Sequence, residues 1–178
     1  MILACATEIF AKNGILGLKF NFVDVKEGKK HKETYEYQMF LAIIKVKTIE
    51  GITTDPGNSF IQPNGRIGVY DEDRISSFPH NGFSSWVNLD NPDIAQHKGD
   101  KNYAAGYVVA HELLHQLVGI AAFYLTGDSR RYNFHRSEGR MHLNSNGHET
   151  VIPARSNDEL RPAEEILPFH MNILKFFK

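Results

Sequence analysis

Three residues of this chain, His111, Glu112 and His115, stand in a pattern that can do chemistry. They form His-Glu-x-x-His inside the apolar run Val108-Val109-Ala110-His111-Glu112-Leu113-Leu114-His115-Gln116-Leu117-Val118. On a helix, two histidines four apart share one face a single turn apart, so both imidazoles reach the same ion. Glu112 follows the first histidine and lies beside the pair, within reach of a water on that ion. A Zn²⁺ with an open position lowers the pKa of such a water towards neutrality, and a neighbouring carboxylate can take its proton. That is the chemistry of amide hydrolysis. The competing interpretation is a pair of surface histidines beside a solvated glutamate. Against it stands the cost of setting three polar groups in a run that is otherwise Val, Ala and Leu.

The element that must carry this motif is a long helix. Asp100 is its expected N-cap and Lys101 its first residue, with a stop at Gly119 or, further on, at Gly127. Before it, Leu16 to Val25 alternates with period two and predicts a strand. Tyr35 to Lys47 is long enough for a helix, but its aromatic and β-branched content favours a second strand, which could pair with the first as a hairpin. Gly51 to Gly65 reads as loop, Arg66 to Tyr70 as a short strand, and Asp71-Glu72-Asp73 as a solvated turn. Ser76 to Ser84 reads as another loop, and Ser85 to Leu89 as a strand ended by Asp90-Asn91-Pro92. At the N-terminus, Ala4 to Asn13 predicts a short helix closed by Gly14. After the long helix, residues 128–147 are polar and loop-like. Asn157-Asp158 and Pro162 mark the start of a last helical region, which Pro168 kinks or restarts. Ile166, Leu167, Ile173, Leu174 and Phe177 are its core-facing positions.

At 178 residues and 42% hydrophobic content, the chain can build one domain with a substantial core, residues 1–178 together. A net charge of −1 with scattered Lys and Arg gives no support for nucleic acid or an anionic membrane as partner. No run is read as long enough to span a bilayer. A single cysteine, Cys5, excludes an internal disulfide. Met1 to Ala6 is apolar but lacks a basic leading segment, so a short helix is expected there rather than a signal peptide. The compartment stays open, with a secreted or cell-surface protein favoured.

Strands, then a helix bearing His-Glu-x-x-His, then an irregular segment and a C-terminal helix: this order resembles the zincin metallopeptidases. Within them it is most similar to the metzincins, whose motif runs His-Glu-x-x-His-x-x-Gly-x-x-His and is followed by a methionine-containing turn under the metal. The match covers His111, Glu112 and His115. It then departs, because Gly119 comes one place late and Ala121 or Ala122 stands where the third histidine belongs. The segment Phe134-His135-Arg136-Ser137-Glu138-Gly139-Arg140-Met141 offers a histidine followed shortly by a methionine. The resemblance therefore implies His135 as a displaced third ligand and Met141 as the turn methionine. Asp128 is the main rival, since Thr126-Gly127-Asp128 followed by Tyr132 resembles the aspartate motif of aspzincins. Glu164 or Glu165 would suit a gluzincin-like site, and His142 is a further option. Each has a plainer role open to it: Asp128 as a turn cap, Glu164 and Glu165 as first-turn acids of a helix.

The expectation is an α+β domain, a small twisted mixed sheet packed on the active-site helix with the C-terminal helix closing the far side. Its expected function is zinc-dependent peptide-bond hydrolysis, with Glu112 as general base and His111, His115 and His135 on Zn²⁺. The substrate would be a peptide or protein, held along an edge strand (Ser85 to Leu89 being the candidate), and the enzyme a monomer. Tyr124 or Tyr132 could hydrogen-bond the tetrahedral oxyanion, but packing is the ordinary role for both. Cys5 could cap the zinc, although a small core residue is its simpler role. His31, His80, His97, His148 and His170 are expected at the surface or in satisfied structural positions. A different class is a zinc-stabilised binding module with a closed four-ligand sphere and no catalysis. A third option keeps the chemistry and makes the chain a peptidase toxin domain of a larger protein.

Overall fold

The computed structural model describes residues 1–20, 39–45, 56–60, 66–71, 74–79, 83–97, 100–132, 166 and 168–177. These mix helix and strand, compatible with an α+β domain. In chain order they are α1 (Ile2–Lys12), β1 (Met39–Ile44), β2 (Gly57–Phe60), β3 (Arg66–Asp71), β4 (Arg74–Pro79), β5 (Phe83–Asn88), α2 (Pro92–Ala95), α3 (Lys101–Thr126) and α4 (Pro168–Leu174). A 3₁₀ turn over Lys175–Phe177 follows α4.

The core is built on α3. The Asp100 side chain accepts from Asn102 N at 2.9 Å, satisfying one of the amides a helix start leaves over. At the other end Gly127 takes φ +76°, and its N–H donates to the Phe123 carbonyl at 2.8 Å. A left-handed residue at that position is what ends a helix, and glycine adopts it without strain. Gly119, the earlier stop considered, lies inside the helix because only Gly127 supplies that geometry. Between the caps, Tyr103 to Leu114 and Gln116 to Ala122 are all buried, so the helix is enclosed on every side. It also corrects one sequence expectation: 26 residues of such apolarity are long enough to cross a bilayer. With 78% of the apolar window buried inside the protein, α3 is placed as a core helix.

Helix α1 covers one side of α3 with Ala6, Ile9 and Phe10. The two meet at Gly106, where a β-carbon would lie 2.6 Å from Cys5 Cβ and 2.8 Å from the Ile2 carbonyl oxygen. A glycine is needed there for the helices to approach so closely. Helix α4 packs on α3 as well, with Leu174 buried, and His170, also buried, has Nε2 3.3 Å from the Tyr132 carbonyl. Just before α4, the Ile166 N–H donates to Asn13 Oδ1 at 2.8 Å, tying the two ends of the chain together.

The sheet on α3 has the order β1-β5-β2 and is mixed, β1 running parallel and β2 antiparallel to β5. β3 and β4 form a separate antiparallel pair in the register Arg66↔Pro79 to Asp71↔Arg74. Several sequence expectations are corrected. Leu16 to Phe20 is not strand, and β1 takes β5 rather than that segment as its partner. The expected loop at 51–65 contains β2, and the expected loop at 76–84 contains the end of β4 and the start of β5. The strand expected at the edge, β5, is central. In each case pairing with distant residues overrides a weak local preference.

Candidate metal centre

Two adjacent stripes on α3 make the site. Val108, Glu112 and Gln116, spaced i, i+4, i+8, look towards the sheet, while His111 and His115 stand about 100° round from Glu112 and its i+4 partner. The His111 and His115 Nε2 atoms lie 3.1 Å apart, and the two rings meet edge to face with centroids 4.7 Å apart. Two nitrogens on one tetrahedral Zn²⁺ at the usual bond length are separated by roughly 3.3 Å, close to this spacing, which is also a hydrogen-bonding distance. His111 is buried and His115 is only half-buried, which leaves the open side of the pair at His115.

Glu112 points into the sheet. Its residue surface is 6% exposed, and its Oε2 accepts from Ser59 Oγ at 2.5 Å. Ser59 is the register partner of Ser85, so both side chains rise from one sheet face. Their hydroxyl oxygens are 2.6 Å apart, and Gln116 Nε2 donates to Ser85 Oγ at 2.7 Å. Both hydroxyls also reach the Glu112 carbonyl, at 3.0 Å from Ser59 and 3.2 Å from Ser85. Two residues before Ser59 on the same face is Gly57, where a β-carbon would be 2.9 Å from Glu112 Cγ, Glu112 Oε1 and Val108 Cγ1. The α3-facing side of β2 is thus a bare glycine and a serine, and the Glu112 carboxylate occupies the space they leave.

The chain matches no protein-family model, no curated protein and no solved structure.

The expected metal residues fare differently. His111 and His115 are brought together. Among the described residues no third His, Cys, Asp or Glu joins them. Asp128 is described and exposed, past the end of α3 and about 17 Å of helix beyond His115. Its carboxylate accepts from Arg130 N at 2.9 Å, the plain turn-capping role, and it is not near the pair. His135, His142, Glu164, Glu165 and Met141 lie outside the described residues. Cys5 is half-buried on α1 against Gly106 and is not grouped with the histidines. Tyr124 and Tyr132 pack at the C-terminal end of α3, the first stacked on Phe176 at 5.8 Å and the second tilted against Phe169 at 6.0 Å. Neither is placed as an oxyanion donor.

Sequence reasoning missed Ser59, Ser85 and Gln116. One signal for Gln116 was present: it is a neutral polar residue in a buried run, four after Glu112. Nothing local marks the two serines, which acquire their place only through the β2–β5 register.

Proposed function

We propose that this chain is a zinc-dependent peptidase with a zincin-like arrangement, and that His111 and His115 hold the metal. The observation that carries the reading is the convergence of their Nε2 atoms at 3.1 Å on a helix whose intervening residue is a carboxylate. The resemblance to the metzincins supports His135 as the third ligand and Met141 as the methionine of the turn, both outside the described residues. Bound there, Zn²⁺ supplies Lewis-acid polarisation and brings a coordinated water into the neutral titration range. The chain's own residues do the rest. Glu112 takes the proton released as water attacks the scissile carbonyl, then delivers it to the leaving amine. The strand available to hold a peptide in extended form is β2, at the edge of the sheet among the described residues and directly over Glu112.

A second reading draws on the burial of Glu112. A carboxylate packed under β2 and bound by Ser59 also suits a zinc-stabilised binding module without catalysis. Measuring zinc content and chelator-sensitive peptide hydrolysis for the parent, His111→Ala, His115→Ala and Glu112→Gln separates the two. Catalysis requires that Glu112→Gln keep zinc and lose hydrolysis. Full activity in Glu112→Gln sinks the mechanism, and zinc binding without any hydrolysis in the parent supports the module.

A further inference from the structure

We infer that Ser59 is a positioning residue for Glu112, aiming its carboxylate from the edge strand through a hydrogen-bond chain that begins at Gln116; its catalytic consequence rests on the peptidase reading above. Ser59 Oγ donates to Glu112 Oε2, the shortest of its contacts, and lies 3.0 Å from the Glu112 carbonyl. Ser59 Oγ also lies 2.6 Å from Ser85 Oγ, which accepts from Gln116 Nε2 and reaches the Glu112 carbonyl at 3.2 Å. Connected hydrogen bonds polarise one another, and the buried setting strengthens each of them.

The same chain fixes geometry. A glutamate has three rotatable side-chain bonds, and a proton acceptor must hold its carboxylate within a fraction of an ångström of its working place. Glu112 is pinned from two sides by one short strand: Ser59 holds Oε2, while Gly57 lies against Cγ and Oε1. Gln116 rises from the same stripe of α3 as Glu112, so the line leaves the helix, crosses β5 at Ser85 and returns to the helix at the carboxylate. Any displacement of β2, such as a peptide adding along it, would be transmitted to the proton acceptor through one hydroxyl.

The test uses the whole chain and two readouts. The first is the infrared carboxylate band of Glu112 in zinc-free protein carrying ¹³C-labelled glutamate, isolated by subtracting the spectrum of Glu112→Gln. Ser59→Ala should move that band to higher frequency, as expected when a donor is lost, and Ser59→Thr should restore it. Ser85→Ala, which leaves the Ser59 hydroxyl in place, should move it in the same direction by less, and this serves if Ser59→Ala does not fold. The second readout is kinetic: Ser59→Ala should lower kcat by about tenfold or more with KM and zinc content unchanged, and Ser59→Thr should recover most of it. A band that stays at the parent position in Ser59→Ala overturns the inference, as does a loss confined to KM. A parent that hydrolyses no peptide removes the peptidase reading instead, and the band still decides whether Ser59 holds Glu112.

Discussion

Gly57 lies so close to Glu112 that a single added carbon would stand 2.9 Å from both Cγ and Oε1 of the glutamate. That contact joins the edge strand to the reactive helix, and it predicts the effect of Gly57→Ala. The new methyl group also meets Val108 Cγ1 at 2.9 Å, a branched side chain with little freedom to retreat. The carboxylate is the softer neighbour, so it is Glu112 that moves. Overpacking of this kind costs roughly 1–3 kcal/mol, which urea unfolding would read. Zinc content should be kept, because neither histidine is touched, while hydrolysis falls. Unchanged stability with unchanged activity would contradict the geometry.

A second glycine makes the opposite of the usual helix argument. Gly106→Ala in an ordinary helix interior stabilises by about 1 kcal/mol. Here the added methyl would meet Cys5 Cβ at 2.6 Å and the Ile2 carbonyl oxygen at 2.8 Å. Both obstacles belong to the backbone of α1 or sit next to it, so the whole helix must shift and the Ala6, Ile9 and Phe10 packing with it. A net loss of roughly 1–2 kcal/mol is expected, since overpacking outweighs the propensity gain. Chemical denaturation of Gly106→Ala checks the sign, which a free-standing helix would reverse.

What could be read in advance follows the range of the forces involved. The start of α3 was accessible because Asp100 acts on its own neighbours, its end only as a choice between Gly119 and Gly127, and the histidine pair because helical spacing alone brings residues 111 and 115 together. β5 was legible as the short run Ser85 to Leu89 closed by the turn residues Asp90-Asn91-Pro92, and the strand itself spans Phe83–Asn88. β2 did not, because Gly57-Asn58-Ser59-Phe60 has little intrinsic strand preference and pairs only because β5 is there to accept it. For the same reason the environment of Glu112 was hidden. Ser59 and Ser85 are separated by 26 positions and meet through register, a relationship no local pattern contains.

Metal linkage gives a prediction that does not depend on catalysis. If the histidine pair binds Zn²⁺ in the folded state only, free metal at about a hundred times its Kd stabilises the fold by about 2.7 kcal/mol. Thermal unfolding of the parent should shift upward with zinc and return with a chelator. His111→Ala and His115→Ala should lose most of that shift, whereas Glu112→Gln should keep it. An equal zinc response in all three variants would place the metal elsewhere.

The third ligand is decided by contrast between two residues of the segment after α3. Asp128 is occupied in capping its own turn at Arg130 N, is exposed, and stands about 17 Å of helix beyond His115. Asp128→Ala should therefore bind zinc as the parent does and lose no more than about 0.5 kcal/mol of stability, as surface changes generally do. His135→Ala should bind zinc weakly, because two imidazoles leave the ion short of the three protein ligands a catalytic site normally has. Measuring zinc affinity for both, with His142→Ala, Glu164→Ala and Glu165→Ala in parallel, assigns the position directly. If His135→Ala binds like the parent and one of the other variants does not, that residue replaces His135, and the metzincin-like reading gives way to the arrangement it belongs to.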